Sequence, residues 1–468
     1  MAIAPELLVT LDRTVGTPLR AQLENGVREA IRTGRLSPGD RLPSSRMLAA
    51  DLGLSRGVVQ ECYEQLAAEG YLFSRTGSGT TVAATSGGTV DTTAANPRAT
   101  GSTRRGAAPE RLVADFESGV PDLASAPRTD WAWAVQEVCR TVPHAAFDYG
   151  DPLGVPVLRE TLAAYLRRVR AVEAGPDQVL VCNGMAQGLS LVLQVLRPAV
   201  VACEDPGAIA TARAAASSVG ATVLPVPVDD LGLDVEALAR TEARAVVVTP
   251  AHQWPTGVVL APERRHALVA WARERDAMVL EDDYDAEFRY DRDPVGTLQG
   301  LAPDRVVALG TVSKSLAPAL RLGWAVVPPS LVDAVAQAKD VADRGTAAID
   351  QLALARLIES GRYDRHLRRV RGEYARRRTA LVQALAEHAP DMPVTGLAAG
   401  FHAVAHLPDG ADVDAIVAGA RRRGVGLYSM GLNRSTRSAD PPRLVFGYGN
   451  TPERVIQAGI AAVADLLR

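Results

Sequence analysis

A small helical head followed by an α/β domain is the fold this sequence predicts, and three observations predict it. From about residue 111 onward, short apolar runs such as Val179–Cys182, Val246–Val248 and Val306–Leu309 alternate with helical stretches, the mark of a sheet covered by helices. Residues 85–110 are poor in large apolar side chains and read as a flexible linker. Ahead of them, residues 10–84 carry helix-period apolar spacing and then a glycine turn between two short strand-like runs.

At 468 residues the chain is long enough for two or three domains, each with its own core. A net charge of −3 excludes a generally basic coat, so any contact with nucleic acid has to be local. The 4 cysteines lie far apart without metal-ligand spacing, which points to a reducing compartment and no metal site. The first residues lack a basic region followed by an apolar stretch, and no run approaches the roughly 18 apolar residues of a membrane helix. These features predict a soluble, cytoplasmic protein with no membrane partner.

In the head, Leu19, Leu23, Val27, Ala30 and Ile31 share one helical face. Pro43-Ser44-Ser45 caps a short helix from Arg46 to Leu52, and Gly53-Leu54 ends it. Ser55 caps a longer helix that runs to Glu69. Two short helices about a glycine turn predict a helix-turn-helix. Residues 70–73 and 80–82, flanking Ser74 to Gly79, predict a two-stranded wing.

In the α/β domain, Lys314 is one of only two lysines, the other being Lys339, while every remaining basic residue is Arg. Arg stays protonated and cannot form an imine, whereas a desolvated Lys can lose its proton and condense with an aldehyde. Thr311 and Ser313 place hydroxyls before Lys314, and Arg321 places a guanidinium after it, a set suited to a phosphate. An aldehyde with a phosphate is pyridoxal 5′-phosphate. The apolar run Val279-Leu280 ends in Glu281-Asp282-Asp283-Tyr284-Asp285, where Asp282 can hold a pyridine nitrogen protonated and Tyr284 can bond the phenolate oxygen. A further small-residue turn, Asn183 to Gly188, follows Val179–Cys182 and opens the helix Leu189 to Leu196; its backbone N–H groups suit a phosphate.

The stretches Glu281 to Tyr290 and Gly310 to Gly323 resemble fold type I pyridoxal-phosphate enzymes, the aminotransferase superfamily, with a large α/β domain and a small C-terminal α+β subdomain. Together with Leu42-Pro43-Ser44-Ser45-Arg46, Ser55-Arg56, Tyr63 to Leu66, Glu69 to Leu72 and Gly77 to Thr80, they resemble MocR/GabR-type transcription regulators, which join that domain over residues 111–468 to a GntR-type winged head. The resemblance implies double-stranded DNA, as paired promoter half-sites, as a partner. Carried over by position, Arg46, Ser55, Arg56, Gly57, Val58 and Gln60 would face DNA from the helices, and Gly77 from the wing. It implies that Gly184, Met185 and Ala186 make a second phosphate contact, and that Tyr149 reaches the cofactor of the other subunit in a homodimer. Arg443 stands where an Arg often meets the ligand carboxylate. Trp254 replaces the Asn usual in aminotransferases, and Ala208 replaces an aromatic that often stacks on the cofactor ring. His252 is open to two readings, a regulator motif residue or a hydrogen-bonded core histidine. The Arg-rich stretch His366 to Arg378 reads as the solvated face of a helix. The expected function is a regulator that senses an amino compound, or pyridoxal phosphate itself, through an aldimine at Lys314. The alternative is a working aminotransferase with an accessory N-terminal module.

Overall fold

The structure is a computed structural model, and it describes residues 11–13, 18–68, 71–75, 79–83, 112–285, 287–290, 296–436 and 441–468. The chain divides into two compact units between Ser102 and Thr103. That division falls within the stretch read as a linker, residues 85–110, all of which lies outside the described residues.

Among the described residues, the first unit holds three helices, α1 (Leu19–Arg32), α2 (Ser45–Leu52) and α3 (Arg56–Ala68), and a hairpin of β1 (Leu72–Arg75) with β2 (Gly79–Val82). The apolar face expected of α1 is buried: Leu23 and Val27 are fully covered and pack with Leu48, Val59, Leu66, Leu72 and Val82. Burying such a side chain contributes about 1.5–3 kcal/mol, and this cluster is what holds three short helices together. The Ser44 hydroxyl accepts the Met47 N–H to cap α2, and Gly53 ends it in the left-handed region. The Ser55 hydroxyl likewise accepts the Val58 N–H at 3.4 Å. Tyr63 ties α3 back to the turn before α2 through a hydrogen bond to the Pro43 carbonyl, 3.0 Å.

The second unit is built on an eight-stranded sheet. Its strands in chain order are β3 (Val179–Cys182), β4 (Val200–Asp205), β5 (Thr222–Asp229), β6 (Gly232–Leu233), β7 (Ala245–Val248), β8 (Met278–Asp283), β9 (Val306–Thr311) and β10 (Gly323–Val326). Across the sheet the order is β3-β10-β9-β8-β7-β4-β5-β6. Strands β9, β8, β7, β4 and β5 run parallel, while β10 is antiparallel to both its neighbours and β6 closes the far edge antiparallel to β5. All of β3, β7, β9 and β10 is buried, which explains why the sequence shows continuous apolar runs there rather than alternation.

The helix α4 (Met185–Leu196) begins four residues earlier than expected, directly at Gly184. Gly184 has φ 88°, which lets the chain leave β3 and enter the helix without a loop. The small subdomain has a three-stranded antiparallel sheet of Val394–Thr395, His402–His406 and Arg443–Gly447, packed with the helices Arg362–His388 and Glu453–Ala462. A separate two-stranded sheet ties in the other end of the unit, where Ala114–Asp115 pairs in parallel with Val425–Gly426.

The Arg-rich stretch corrects one expectation. It lies on the helix Arg362–His388, but it is not only a solvated face. Arg377 is buried and donates to Asp122 Oδ2 at 2.8 Å and to the Gly449 carbonyl, and buried His366 bonds the Ser315 carbonyl at 2.7 Å. Among the described residues, no helix is long and apolar enough to cross a membrane.

Candidate functional site

The carboxyl ends of the parallel strands converge on one cavity of about 250 Å³, where open α/β sheets characteristically bind ligands. It is lined by Lys314, Thr311 and Ser313 after β9, Asp282 and Tyr284 at the end of β8, Met185 and Ala186 at the start of α4, and Arg321 before β10. Ala208, Trp254 and Gly119 complete the wall. A larger cavity of about 630 Å³ lies in the small subdomain against Leu467 and Arg468, but it gathers no lysine and no buried carboxylate.

Lys314 sits in the turn that follows β9 and donates to the Gly119 carbonyl at 2.5 Å. Burial lowers its pKa, against the raising influence of Asp282 and Asp285, and this makes the neutral amine more accessible. Asp282 is 7 % exposed, and its Oδ1 has no hydrogen-bond partner. Burial pushes its carboxyl up to about 7, Asp283 adds to the rise, and Lys314 opposes it. An unpartnered, desolvated carboxylate is costly, and a cationic or N–H group at this spot would relieve that cost.

Tyr284 is a buried residue of the cavity wall, 3.2 Å from His252 Nδ1, which lies 2.8 Å from Asp285 Oδ2. Burial and the carboxylates around it push the phenol well above its ordinary value, so Tyr284 stays a proton donor. His252 is thus a buried, hydrogen-bonded histidine that also braces a cavity residue. Its ring packs 4.8 Å from that of His402, whose Nε2 is 3.1 Å from the Pro255 carbonyl. On the far side, buried Glu204 accepts from the Thr249 N–H, its hydroxyl and Gln253, which orders the turn carrying Trp254. The Trp254 indole N–H donates to Asn433 Oδ1 at 3.3 Å.

One end of the cavity is a cradle for an anion. Arg321 reaches back so that its Nη2 donates to the Asn183 carbonyl at 2.6 Å. A Cβ on Gly184 would meet that guanidinium at 2.9 Å and displace it, and the φ of 88° there already favours glycine. The N-terminus of α4 adds unsatisfied backbone N–H groups and the positive end of its dipole. Thr311 and Ser313 bond one another through their hydroxyls, 2.9 Å apart, beside Lys314.

The fold therefore brings together Lys314, Asp282, Tyr284, Thr311, Ser313, Arg321, Met185 and Ala186, with Gly184 behind them. It does not bring Tyr149 or Arg443 to the cavity wall. Tyr149 is 80 % exposed, and Arg443 lies on the small-subdomain sheet, where its Nε has no partner and burial lowers its pKa. Gly119, whose carbonyl holds Lys314, was not anticipated. Its only trace in the sequence is a Gly-Val-Pro-Asp turn nearly 200 residues from the lysine.

The donor set fits pyridoxal phosphate. An amine, an orphaned buried carboxylate, a phenol and an arginine with a helix N-terminus stand around one cavity, matching the aldehyde, ring nitrogen, phenolate and phosphate of that group.

In the head, Arg46, Ser55, Arg56, Gly57 and Gln60 are exposed on α2 and at the start of α3, and Val58 is half-buried. Gln60 Nε2 donates to Glu64 Oε1, 3.1 Å. Gly77 lies outside the described residues. The head has nine arginines against eight carboxylates between Asp12 and Val82, so this exposed face is local rather than part of a basic surface.

Comparison with known proteins gives a consistent picture. Residues 19–82 match the bacterial regulatory proteins of the gntR family, and residues 113–422 match aminotransferase class I and II. The chain is 34% identical over 468 residues to the probable rhizopine catabolism regulatory protein MocR of Rhizobium meliloti, covering 97% of this chain and 94% of that protein. It is also 34% identical to the pyridoxine biosynthesis transcriptional regulator PdxR of Corynebacterium glutamicum, over 98% of each. Among solved structures, a kynurenine aminotransferase of Pyrococcus horikoshii superposes with a TM-score of 0.70 at 27% identity, covering 77% of this chain and 91% of that one.

Proposed function

Because the chain belongs to the MocR-type branch of the gntR family, transcription regulators with an aminotransferase class I and II domain, we propose that it holds pyridoxal phosphate on Lys314 and uses it to sense an amino compound or the cofactor itself. The observation that carries this reading is the pairing, in one cavity, of a desolvated Lys314 with an orphaned buried Asp282. When bound, the cofactor supplies an aldehyde that condenses with amines and a ring that withdraws electrons.

The residues then divide the work. Arg321, Ser313, Thr311 and the α4 N-terminus would hold the phosphate, Asp282 would keep a proton on the ring nitrogen, and Tyr284 would donate to the phenolate oxygen. Lys314 would carry the aldehyde, since burial favours the neutral amine that such condensation needs. Trp254 and Ala208 shape the space left for an incoming amine. The exposed Arg56 and Gln60 read base edges in promoter half-sites, and Arg46 and Ser55 meet phosphates. Tyr149, 80 % exposed, would reach the phosphate of a second copy, and the working unit would then be a homodimer. An amine that favours one dimer arrangement over another changes DNA affinity by that difference.

The test starts with the full-length protein and pyridoxal phosphate. Wild type should gain a visible absorbance band, Lys314→Ala should lack it, and Lys314→Arg should not restore it. A wild type that stays colourless would end the cofactor assignment. Fast multiple turnover with amino donors and oxo acids, together with no binding to promoter DNA, would establish the aminotransferase with an accessory head instead.

A further inference from the structure

The second of the two lysines, Lys339, takes no part in the site described so far, yet it is fully buried. It lies on the helix Val332–Asp343, and its Nζ donates to both carboxylate oxygens of Asp343, at 2.6 and 2.7 Å. A buried cation with one carboxylate is a costly arrangement unless the pair has further partners. Here two of the further partners, Asn183 and Gln187, lead to the anion cradle.

Asp343 Oδ2 accepts from Asn183 Nδ2 at 3.0 Å and from Gln187 Nε2 at 2.7 Å. Gln187 Oε1 in turn accepts the backbone N–H of Asn183 at 2.8 Å. Asn183 and Gln187 bracket Gly184, Met185 and Ala186, the residues at the mouth of α4. The carbonyl of the same Asn183 receives Arg321. Asp343 Oδ1 also accepts the Gly345 N–H at 3.0 Å. Burial works against the Asp343 carboxylate, but Lys339, Gln187 and the Gly345 N–H outweigh it and hold its pKa below the ordinary value.

We infer that Lys339 and Asp343 form a clamp that positions the Asn183–Gln187 turn for the cofactor's phosphate, and so sets phosphate affinity from beneath the cavity. The inference rests on the reading that the α4 N-terminus and Arg321 hold that phosphate. Neither residue lines the cavity, so both are positioning residues. Lys339 keeps Asp343 neutralised. Asp343 fixes Asn183 and Gln187, and these fix the turn whose N–H groups and carbonyl serve the phosphate and Arg321. Without Lys339 the turn would lose its anchor, and an uncompensated carboxylate would stand behind a phosphate site.

The experiment compares pyridoxal phosphate with pyridoxal, which lacks only the phosphate, on full-length wild type, Lys339→Met and the charge-neutral pair Lys339→Met/Asp343→Asn. Dissociation constants come from absorbance titration. Lys339→Met should bind pyridoxal phosphate at least about tenfold more weakly than wild type, as expected for disturbing hydrogen bonds to a charged group. The double variant should fall between the two, and pyridoxal should bind all three alike. Equal weakening of both ligands, or no weakening of either, would overturn the clamp. If Lys339→Met does not fold, the double variant decides by the same comparison. A wild type that fails to bind pyridoxal phosphate would sink the cofactor reading itself, a separate outcome.

Discussion

Replacing Asp282 with Asn tests the electrostatics of the site without requiring any ligand. In the cofactor-free protein, burial raises the Asp282 carboxyl from 3.8 to about 7, with Asp283 adding and Lys314 opposing. The folded state therefore binds this proton more tightly than the unfolded chain does. The stability it contributes is fully present below about pH 3.8 and is lost as pH climbs through about 7. At about 1.4 kcal/mol per tenfold change, the loss between pH 5 and pH 8 comes to about 3 kcal/mol. Asn cannot ionise, so its own effects on packing and hydrogen bonding are nearly the same at both pH values and cancel in the comparison. The assay is urea unfolding of cofactor-free wild type and Asp282→Asn at pH 5 and pH 8, followed by a probe of the α/β unit. The variant should gain about 3 kcal/mol on wild type between the two conditions. With pyridoxal phosphate bound, the ring nitrogen partners Asp282 and the advantage of Asn should disappear. If the stability difference between variant and wild type is the same at pH 5 and pH 8, Asp282 is not the desolvated, unpartnered carboxylate described here.

Two other substitutions probe the cradle and the head. Gly184→Ala should weaken pyridoxal phosphate by about tenfold or more, because it demands φ 88° of a residue with a Cβ and pushes that Cβ to 2.9 Å from Arg321; absorbance titration measures this, and unchanged affinity would argue against the cradle. Arg56→Ala should cost about 1–3 kcal/mol of DNA affinity and relax preference at one position of each half-site. Titration on the native promoter and on single-base variants at two salt concentrations separates that outcome from loss of a phosphate contact, which would weaken all sequences alike and lower the salt slope.

How much of this site was legible in advance follows from where its information lies. Lys314, Asp282, Tyr284, Thr311, Ser313 and Arg321 stand on two short stretches, each placed by the end of an apolar strand. Neighbours in sequence are there neighbours in space, and residue chemistry could be read directly. The head was legible for the same reason, since the Ser44 and Ser55 caps and the Leu23 and Val27 spacing are local signals. The start of α4 was missed because a glycine with positive φ can enter a helix at once, and sequence spacing alone does not show which glycine does so. Burial was less legible still. The acidic run that ends β8 and continues past it could have been a solvated loop, and only packing made Glu281, Asp282 and Asp285 buried groups. Likewise, an arginine-rich helix looks uniformly solvated until Asp122, from the far end of the unit, is found paired with Arg377.

By itself, then, the sequence determined the two-part architecture, the chemistry of the lysine and its acidic counterpart, and the kind of group they suit. Those depend on residue type and on short-range spacing. The tertiary structure decided which groups lost their water and which distant residues share a contact. Lys314 bonds Gly119 from 195 positions away, and Lys339 reaches the Asn183–Gln187 turn through Asp343, 156 residues from Gln187. Desolvation and long-range contact arise only when strands and helices pack, and they set the pKa of Asp282, the reactivity of Lys314 and the shape of the cradle.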